Sequence, residues 1–469
     1  MSAAGGLASH FLQSRRNTAL SWLFVTVLLA TAVWGVAFDR FEAVLFSVVA
    51  VAVIAAPVVK FRDPSVIAPW CFVGLVALPV LWESLVPVPL VTNIVSSLAV
   101  ATLGLLVVVE LDRFTRLRLV PWFAVSLTVL LTLALSGLLN ILRWSSDVVF
   151  ETTFLLDGRS GDAVNAAVMI EFIYATVAGV LAGGLFYLYF RRTAGAAGPS
   201  DASVTDPATA ATASTADSPA GERTTAGGSV GSDPVLARKH EATGTLEESD
   251  DVESVQLSDR LGISVTRQAQ LVRLMQVALV GILVYGLWSR RIAVVTNAAL
   301  AIGVTLLPPV LKRDYEVVIE PGLVLWVTLA VFLHALGTAG LYDAISTWDH
   351  LTHTLSATVV AATGYAALRA VHLHSDDVEL PPWALFTSLI VFMLAMSVIW
   401  EILEFVVDQA AIALDMEPIL AQHGIDDTIV DMIFNLVGSV IVAVWGTVYL
   451  TEVSESLADV LADQFGTKT

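Results

Sequence analysis

The sequence predicts an all-α, polytopic helical membrane protein of about twelve transmembrane helices in two parallel six-helix repeats. Three observations carry this expectation. The chain is 56% hydrophobic and only 14% charged, with a mean hydropathy of +0.78, which places it outside the soluble class. Apolar stretches of about 20 residues recur, the length that crosses roughly 30 Å of hydrocarbon at about 1.5 Å per residue. The first half of the chain also aligns with the second, 251 residues apart up to Asp314 and 260–261 apart from His353 on, the difference being nine extra residues in between.

In chain order, the expected spans of the first half are 18–38, 42–59, 66–82, 89–111, 119–141 and 168–190. The third is short and carries Pro69 and Pro79. Those of the second half are 270–288, 292–311, 322–341, 350–371, 383–407 and 428–450. Lipid obliges the backbone to satisfy its own polar groups, so each reads as helix, and each reads as unbroken. Arg15-Arg16 ahead of the first run anchors that helix on the cytoplasmic side, and Gly179-x-x-x-Gly183 reads as a close helix contact. The expected organisation is an N-terminal repeat over 1–192, a linker over 193–265, a C-terminal repeat over 266–451 and a tail over 452–469. The linker is rich in Ala, Thr, Ser, Gly and Asp and has no period that could bury a face, so it reads as disordered.

The duplication rests on polar and conformationally special residues, because apolar matches come cheaply in membrane spans. With 31–63 laid on 282–314, ten of 33 positions are identical, including Gly35 on Gly286, Arg40 on Arg291, Pro57 on Pro308 and Arg62-Asp63 on Arg313-Asp314. Farther on, Gly104 falls on Gly364, Pro121-Trp122 on Pro382-Trp383, Ser136 on Ser397 and Asp147 on Asp408. The mismatches are as telling. Asp349 stands where the first half has Pro89, His350 where it has Leu90, and His353 where it has Asn93. Glu401 replaces Asn140, Glu404 replaces Arg143, and Asn435 replaces Ala175. A set of acids and histidines is thus confined to the second half.

Basic residues orient the chain. With the N-terminus inside, the inner loops of the first half hold Arg15, Arg16, Lys60, Arg62, Arg113, Arg116, Arg118, Arg191 and Arg192, against Arg40, Arg143 and Arg159 outside. An even number of spans per half puts both halves the same way round and both termini in the cytoplasm. The expected location is the cell membrane.

In that topology three distant segments reach the outer leaflet: the start of the tenth span, the end of the eleventh and the start of the twelfth. Asp349 and His353 are spaced i,i+4, as are Asp427 and Asp431, and Asp431 and Asn435; His350 and His353, and Glu401 and Glu404, are spaced i,i+3. Each set lies on one helix face. His334 and His423 can join them, whereas Asp343, Asp408 and Asp426 read as solvated at span ends and His372 and His374 as surface residues. No Lys or Arg occurs between Arg313 and Arg369, or after Arg369 until Lys468. Buried acids must be neutralised by protonation, an imidazolium or a bound cation. Imidazole with carboxylate suits Zn²⁺, Mn²⁺ or Fe²⁺. The candidate metal ligands are therefore Asp349, His353, Glu401, Glu404 and Asp431, supported by His350, Asp427, Asn435 and His334. A network that merely pins the three helices would use the same residue types, and a metal-dependent hydrolase acting on lipid or envelope material is a further reading.

Net charge is −19, and the acidic, Lys-poor composition resembles that of proteins from salt-loving archaea. No basic patch points to nucleic acid. The lipid bilayer is the one partner the sequence names, and it identifies no protein partner. With the single Cys71 there is no intrachain disulfide and no thiolate cluster.

Three motifs carry a family resemblance: Asp349-x-x-x-His353 opening a helix, Trp400-Glu401-x-x-Glu404, and Asp427-Thr428 followed by Asp431-x-x-x-Asn435-x-x-Gly438. On these, roughly residues 315–450 resemble the YjdF-like membrane proteins, a family of largely undefined function. They are distantly similar to the VanZ-like proteins associated with glycopeptide-antibiotic tolerance, which commonly carry Gln where this chain has Glu404. The resemblance implies an integral membrane protein with an outward polar cluster and implies no particular reaction.

Overall fold

The computed structural model describes residues 15–38, 40–85, 89–114, 121–196, 263–315, 319–374, 381–420 and 422–449. Regular structure among them is helical throughout. The first half holds α1 (Arg15–Ala37), α2 (Phe41–Phe61), α3 (Trp70–Leu85), α4 (Pro89–Phe114), α5 (Pro121–Phe150) and α6 (Gly161–Ala196). The second holds α7 (Val265–Ser289), α8 (Ile292–Tyr315), α9 (Pro321–Leu336), α10 (Trp348–His374), α11 (Pro382–Ala413) and α12 (Gly424–Tyr449). Eleven helices among the described residues are long and apolar enough to cross a membrane, and α3 contributes a shorter apolar stretch, Trp70–Trp82. Many large apolar side chains, such as Val59 and Trp288, are left exposed, as a lipid-facing surface requires. Most of the expected linker, 197–262, and the tail lie outside the described residues.

Each half opens with a tight helical hairpin made the same way. The Arg40 amide donates to Gly35 O at 2.8 Å, and the Arg291 amide to Gly286 O at 3.0 Å. Both glycines let the next helix come close: an added Cβ would meet Val44 Cγ2 at 2.7 Å in the first hairpin and Val295 Cγ2 at 3.0 Å in the second. A side chain at either position would crowd the following helix, so glycine suits both.

The centre of the molecule is a four-helix core of α5, α6, α11 and α12. Leu133, Phe172, Met169 and Val168 pack there with Leu394, Val398, Ile429 and Met432. Near the starts of α5 and α11, Phe123 meets Ala384 and Leu385. Midway, Gly137 faces Val398. At the far end, Trp144 Nε1 donates to Asp426 Oδ1 at 2.6 Å. Helices α5 and α11 therefore run side by side in the same direction, and the end holding the 151–160 and 414–423 loops is here the upper end. Burial follows the sequence register closely. Every buried position of α6 from 164 to 183 has a buried counterpart 260 residues later in α12.

The loops at the upper end are tied by two aspartates that the alignment pairs. Asp147 accepts the amides of Phe154, Leu155 and Leu156 and the Thr152 hydroxyl, at 2.6–2.8 Å. Asp408 accepts the amides of Ile419 and Leu420 at 2.8 Å and of Gln422 at 3.0 Å. This corrects the expectation that Asp408 is solvated, for it is 5% exposed. A carboxylate receiving three amides satisfies loop donors that would otherwise be buried unpaired.

A second departure concerns the ninth span. It does not run as unbroken α-helix to 341: within Gly337–Leu341 the helix kinks, with Gly340 at φ 139°. That conformation is open to glycine and costly for other residues.

Candidate functional site

The kink at Gly340 sets Tyr342 against the upper end of α9. Gly337 carries the Tyr342 ring where a Cβ would lie 2.4 Å from its nearest atom. The Tyr342 hydroxyl thereby reaches His334 Nδ1 at 2.6 Å and Thr352 Oγ1 at 3.3 Å. Trp348 Nε1 donates to Leu333 O at 3.0 Å and pins the start of α10 beside α9. His334 is thus engaged with Tyr342, at the edge of the cluster.

On the first turns of α10, Asp349 and His353 face α12. His353 Nε2 lies 3.6 Å from Asp349 Oδ1 and 3.6 Å from Asp431 Oδ2. One ligand atom from each of these three residues lies within 4.8 Å of both others. Side-chain exposure falls from 29% at Asp349 through 12% at His353 to 6% at Asp431, a gradient running into the bundle. Asp431 Oδ1 is buried and receives no N–H or hydroxyl donor, and the Asp349 carboxyl lies within hydrogen-bonding reach of Asp431. The Asn435 side chain, one turn deeper on α12, is within reach of the His353 ring.

Glu401 is fully buried. Its Oε2 accepts from Gln422 Nε2 at 2.9 Å, while Oε1 has no partner. Gln422 Oε1 in turn accepts from Asn165 Nδ2 at 2.7 Å, and Asn165 Oδ1 accepts from Thr428 Oγ1 at 3.1 Å. Asn165 belongs to α6, so the N-terminal half supplies one of the four groups. Neither Gln422 nor Asn165 was among the residues expected at the site. Both are neutral amides; the one available signal was an Asn near the start of an otherwise apolar run.

The remaining candidates surround this centre. Glu404 is 8% exposed and within electrostatic range of Glu401, Asp427 and Asp349. Neither Glu401 nor Glu404 faces lipid. His350 stacks on Phe434 with ring centroids 4.3 Å apart, which makes it a packing residue of the α10–α12 contact. Asp427 accepts the His423 amide at 3.0 Å, and its Oδ2 lies 3.8 Å from His423 Nδ1. The hydrogen bond to Asp427 raises the His423 pKa above its ordinary value, against a smaller opposing effect of partial burial. Asp343 and Asp426 are exposed and His372 is half-buried.

Residues 271–452 match the family described as "Predicted membrane protein (DUF2238)". The match covers α8 to α12 entire and most of α7, and so includes the acid/His cluster. The chain is accordingly a multi-pass membrane protein, and the match is consistent with the YjdF-like resemblance. It does not extend to the VanZ-like or salt-loving resemblances. Residues 5–67 match a "Domain of unknown function (DUF8268)". An uncharacterized protein of Thermotoga maritima is 30% identical over 116 residues, which is 24% of this chain and 56% of that protein. The chain thus spans little more than half the length of that relative. No solved structure matches.

Proposed function

We propose that Asp349, His353 and Asp431 hold a divalent cation of the Zn²⁺, Mn²⁺ or Fe²⁺ type at the upper end of the C-terminal half. The observation that carries this is the convergence of three ligand atoms from two helices on Asp431, a buried carboxylate with an oxygen that receives no N–H or hydroxyl donor. Two of the three separations are 3.6 Å, close to the edge of about 3.4 Å that a tetrahedron with metal–ligand bonds of about 2.1 Å would have. Three protein ligands leave a position for water or a bound ligand. Glu401, buried nearby with one free oxygen, suits the role of proton acceptor for such a water.

The surrounding reading is that the two halves are a parallel duplication, with both termini cytoplasmic, the upper end outward and the segment between the halves a linker. The matched hairpins, the Asp147 and Asp408 loop ties and the shared burial register support the duplication. The arginine distribution supports the orientation.

The test is metal analysis of purified protein, with melting temperature measured with and without chelator. A cation that binds only the folded state at 100 times its Kd adds about 2.7 kcal/mol. The wild type is expected to carry metal and to melt lower in chelator. His353→Asn and Asp431→Asn should lose both the metal and the response. A wild type free of metal and indifferent to chelator would leave a packing network as the better account.

A further inference from the structure

The burial registers of the two halves agree so closely that their exceptions stand out. Between 384 and 408 in α11, the one buried position whose counterpart 261 residues earlier in α5 is not buried is Glu404. Between 424 and 443 in α12, the one such position relative to α6, 260 residues earlier, is Asp431. The counterparts of Glu404 and Asp431 are Arg143 and Glu171. Those two form an ion pair, with Arg143 Nη1 3.5 Å from Glu171 Oε2 and side chains 21% and 36% exposed.

The same place in the fold is therefore built in two electrostatic ways. In the N-terminal half an acid meets a guanidinium. In the C-terminal half both positions are acids, both are more deeply buried, and no Lys or Arg lies in sequence between Arg313 and Arg369 or between Arg369 and Lys468. Two buried carboxylates cannot both stay ionised without a positive charge beside them. The other exchanges follow the same logic. The N-terminal half, with its own cation at Arg143, carries Pro89 and Asn93 on α4; the C-terminal half, with Glu404 there instead, carries Asp349 and His353 on α10.

We infer that Glu404 is the residue that makes the C-terminal site depend on an external cation, because it stands where the N-terminal half has a built-in one. This rests on the metal reading above and deepens it. An arginine at 404 would supply the charge from within the chain and repel a divalent ion. Glutamine at 404 would remove one negative charge without supplying a positive one.

The experiment compares full-length wild type, Glu404→Arg, Glu404→Gln and Arg143→Gln by metal content and by melting temperature with and without EDTA. Glu404→Arg is expected to carry background metal only, to melt identically in both conditions, and to melt above EDTA-treated Glu404→Gln. Glu404→Gln is expected to bind metal about 10–100-fold more weakly, the range for loss of a group beside a metal site. Arg143→Gln is expected to keep the metal and to melt lower by the same amount in both conditions. Metal in wild type together with undiminished metal in Glu404→Arg overturns this inference alone. So does a Glu404→Arg protein that fails to fold, since the guanidinium must be accommodated as it is at Arg143, and so does an Arg143→Gln protein that melts like wild type. A wild type without metal overturns the proposed function first, and this inference with it.

Discussion

Gly137 in α5 faces Val398 in α11, and 261 residues separate them, the same interval that separates Asp147 from Asp408. A Cβ on the glycine would meet Val398 Cγ2 at 2.8 Å and Met432 Cε at 2.7 Å. Residues that the sequence alignment pairs thus touch each other at the centre of the bundle.

Adding volume at that contact should be costly. Gly137→Ala is expected to destabilise by about 1–3 kcal/mol through overpacking. Gly184 has nothing within 4 Å of an added Cβ, so Gly184→Ala should be neutral or stabilise by up to about 1 kcal/mol from helix propensity. Thermal melts of the two variants in one detergent compare them directly, and equal effects would contradict the close approach.

Asp408→Ala should cost about 3 kcal/mol or more, since three loop amides lose a charged acceptor at once. Limited proteolysis between 414 and 423 should become faster in the variant. Asp147→Ala should have the equivalent effect on the 151–160 loop. Unaltered stability in either variant would show that water satisfies the freed amides.

The amide pair between the halves is open to a double-mutant cycle. Asn165→Ala and Gln422→Ala each leave buried polar groups unpaired, and their effects should overlap rather than add. The expected coupling is about 0.5–3 kcal/mol, as for residues in direct contact. Additive effects would mean that the 2.7 Å contact contributes nothing to stability.

His423 gives a pH dependence of definite sign. Its pKa in the folded protein is raised from 6.5 by Asp427, so folding favours the protonated ring. That contribution is fully present below the unfolded value of 6.5 and is lost as pH rises through the higher folded value. The effect should be small, because the side chain is 75% exposed and solvent screens the pair. Across that window the melting-temperature advantage of wild type over His423→Ala should shrink with rising pH. An advantage that grows instead would contradict the pairing.

Much of the fold was readable before any coordinates, for a simple reason. Lipid leaves the backbone only the helix or the closed barrel, and apolar runs of about 20 residues fit the helix, so hydropathy located all twelve helices. It did not set their ends: α6 begins at Gly161 and α11 runs to Ala413, because helical hydrogen bonding continues past the apolar window. Of the candidate site, Asp349, His353 and Asp431 were legible because helical spacing and charge mark them. Gln422 and Asn165 were not, since neutral amides carry no charge signal and their contact joins residues 257 apart. Asp408 was misread because a carboxylate at the end of an apolar run looks solvated whether or not a loop folds over it.

The chain of hydrogen bonds from Glu401 through Gln422 and Asn165 to Thr428 also bears on assembly. Translation delivers α6 to the membrane well before α11 and α12 emerge, and segments made first can fold first. Asn165 is then already in place when the last two helices arrive, and the amide and hydroxyl they carry find their partner on arrival. A transposed gene order, with the second half made first, would leave those groups waiting in the bilayer and exposed to quality control.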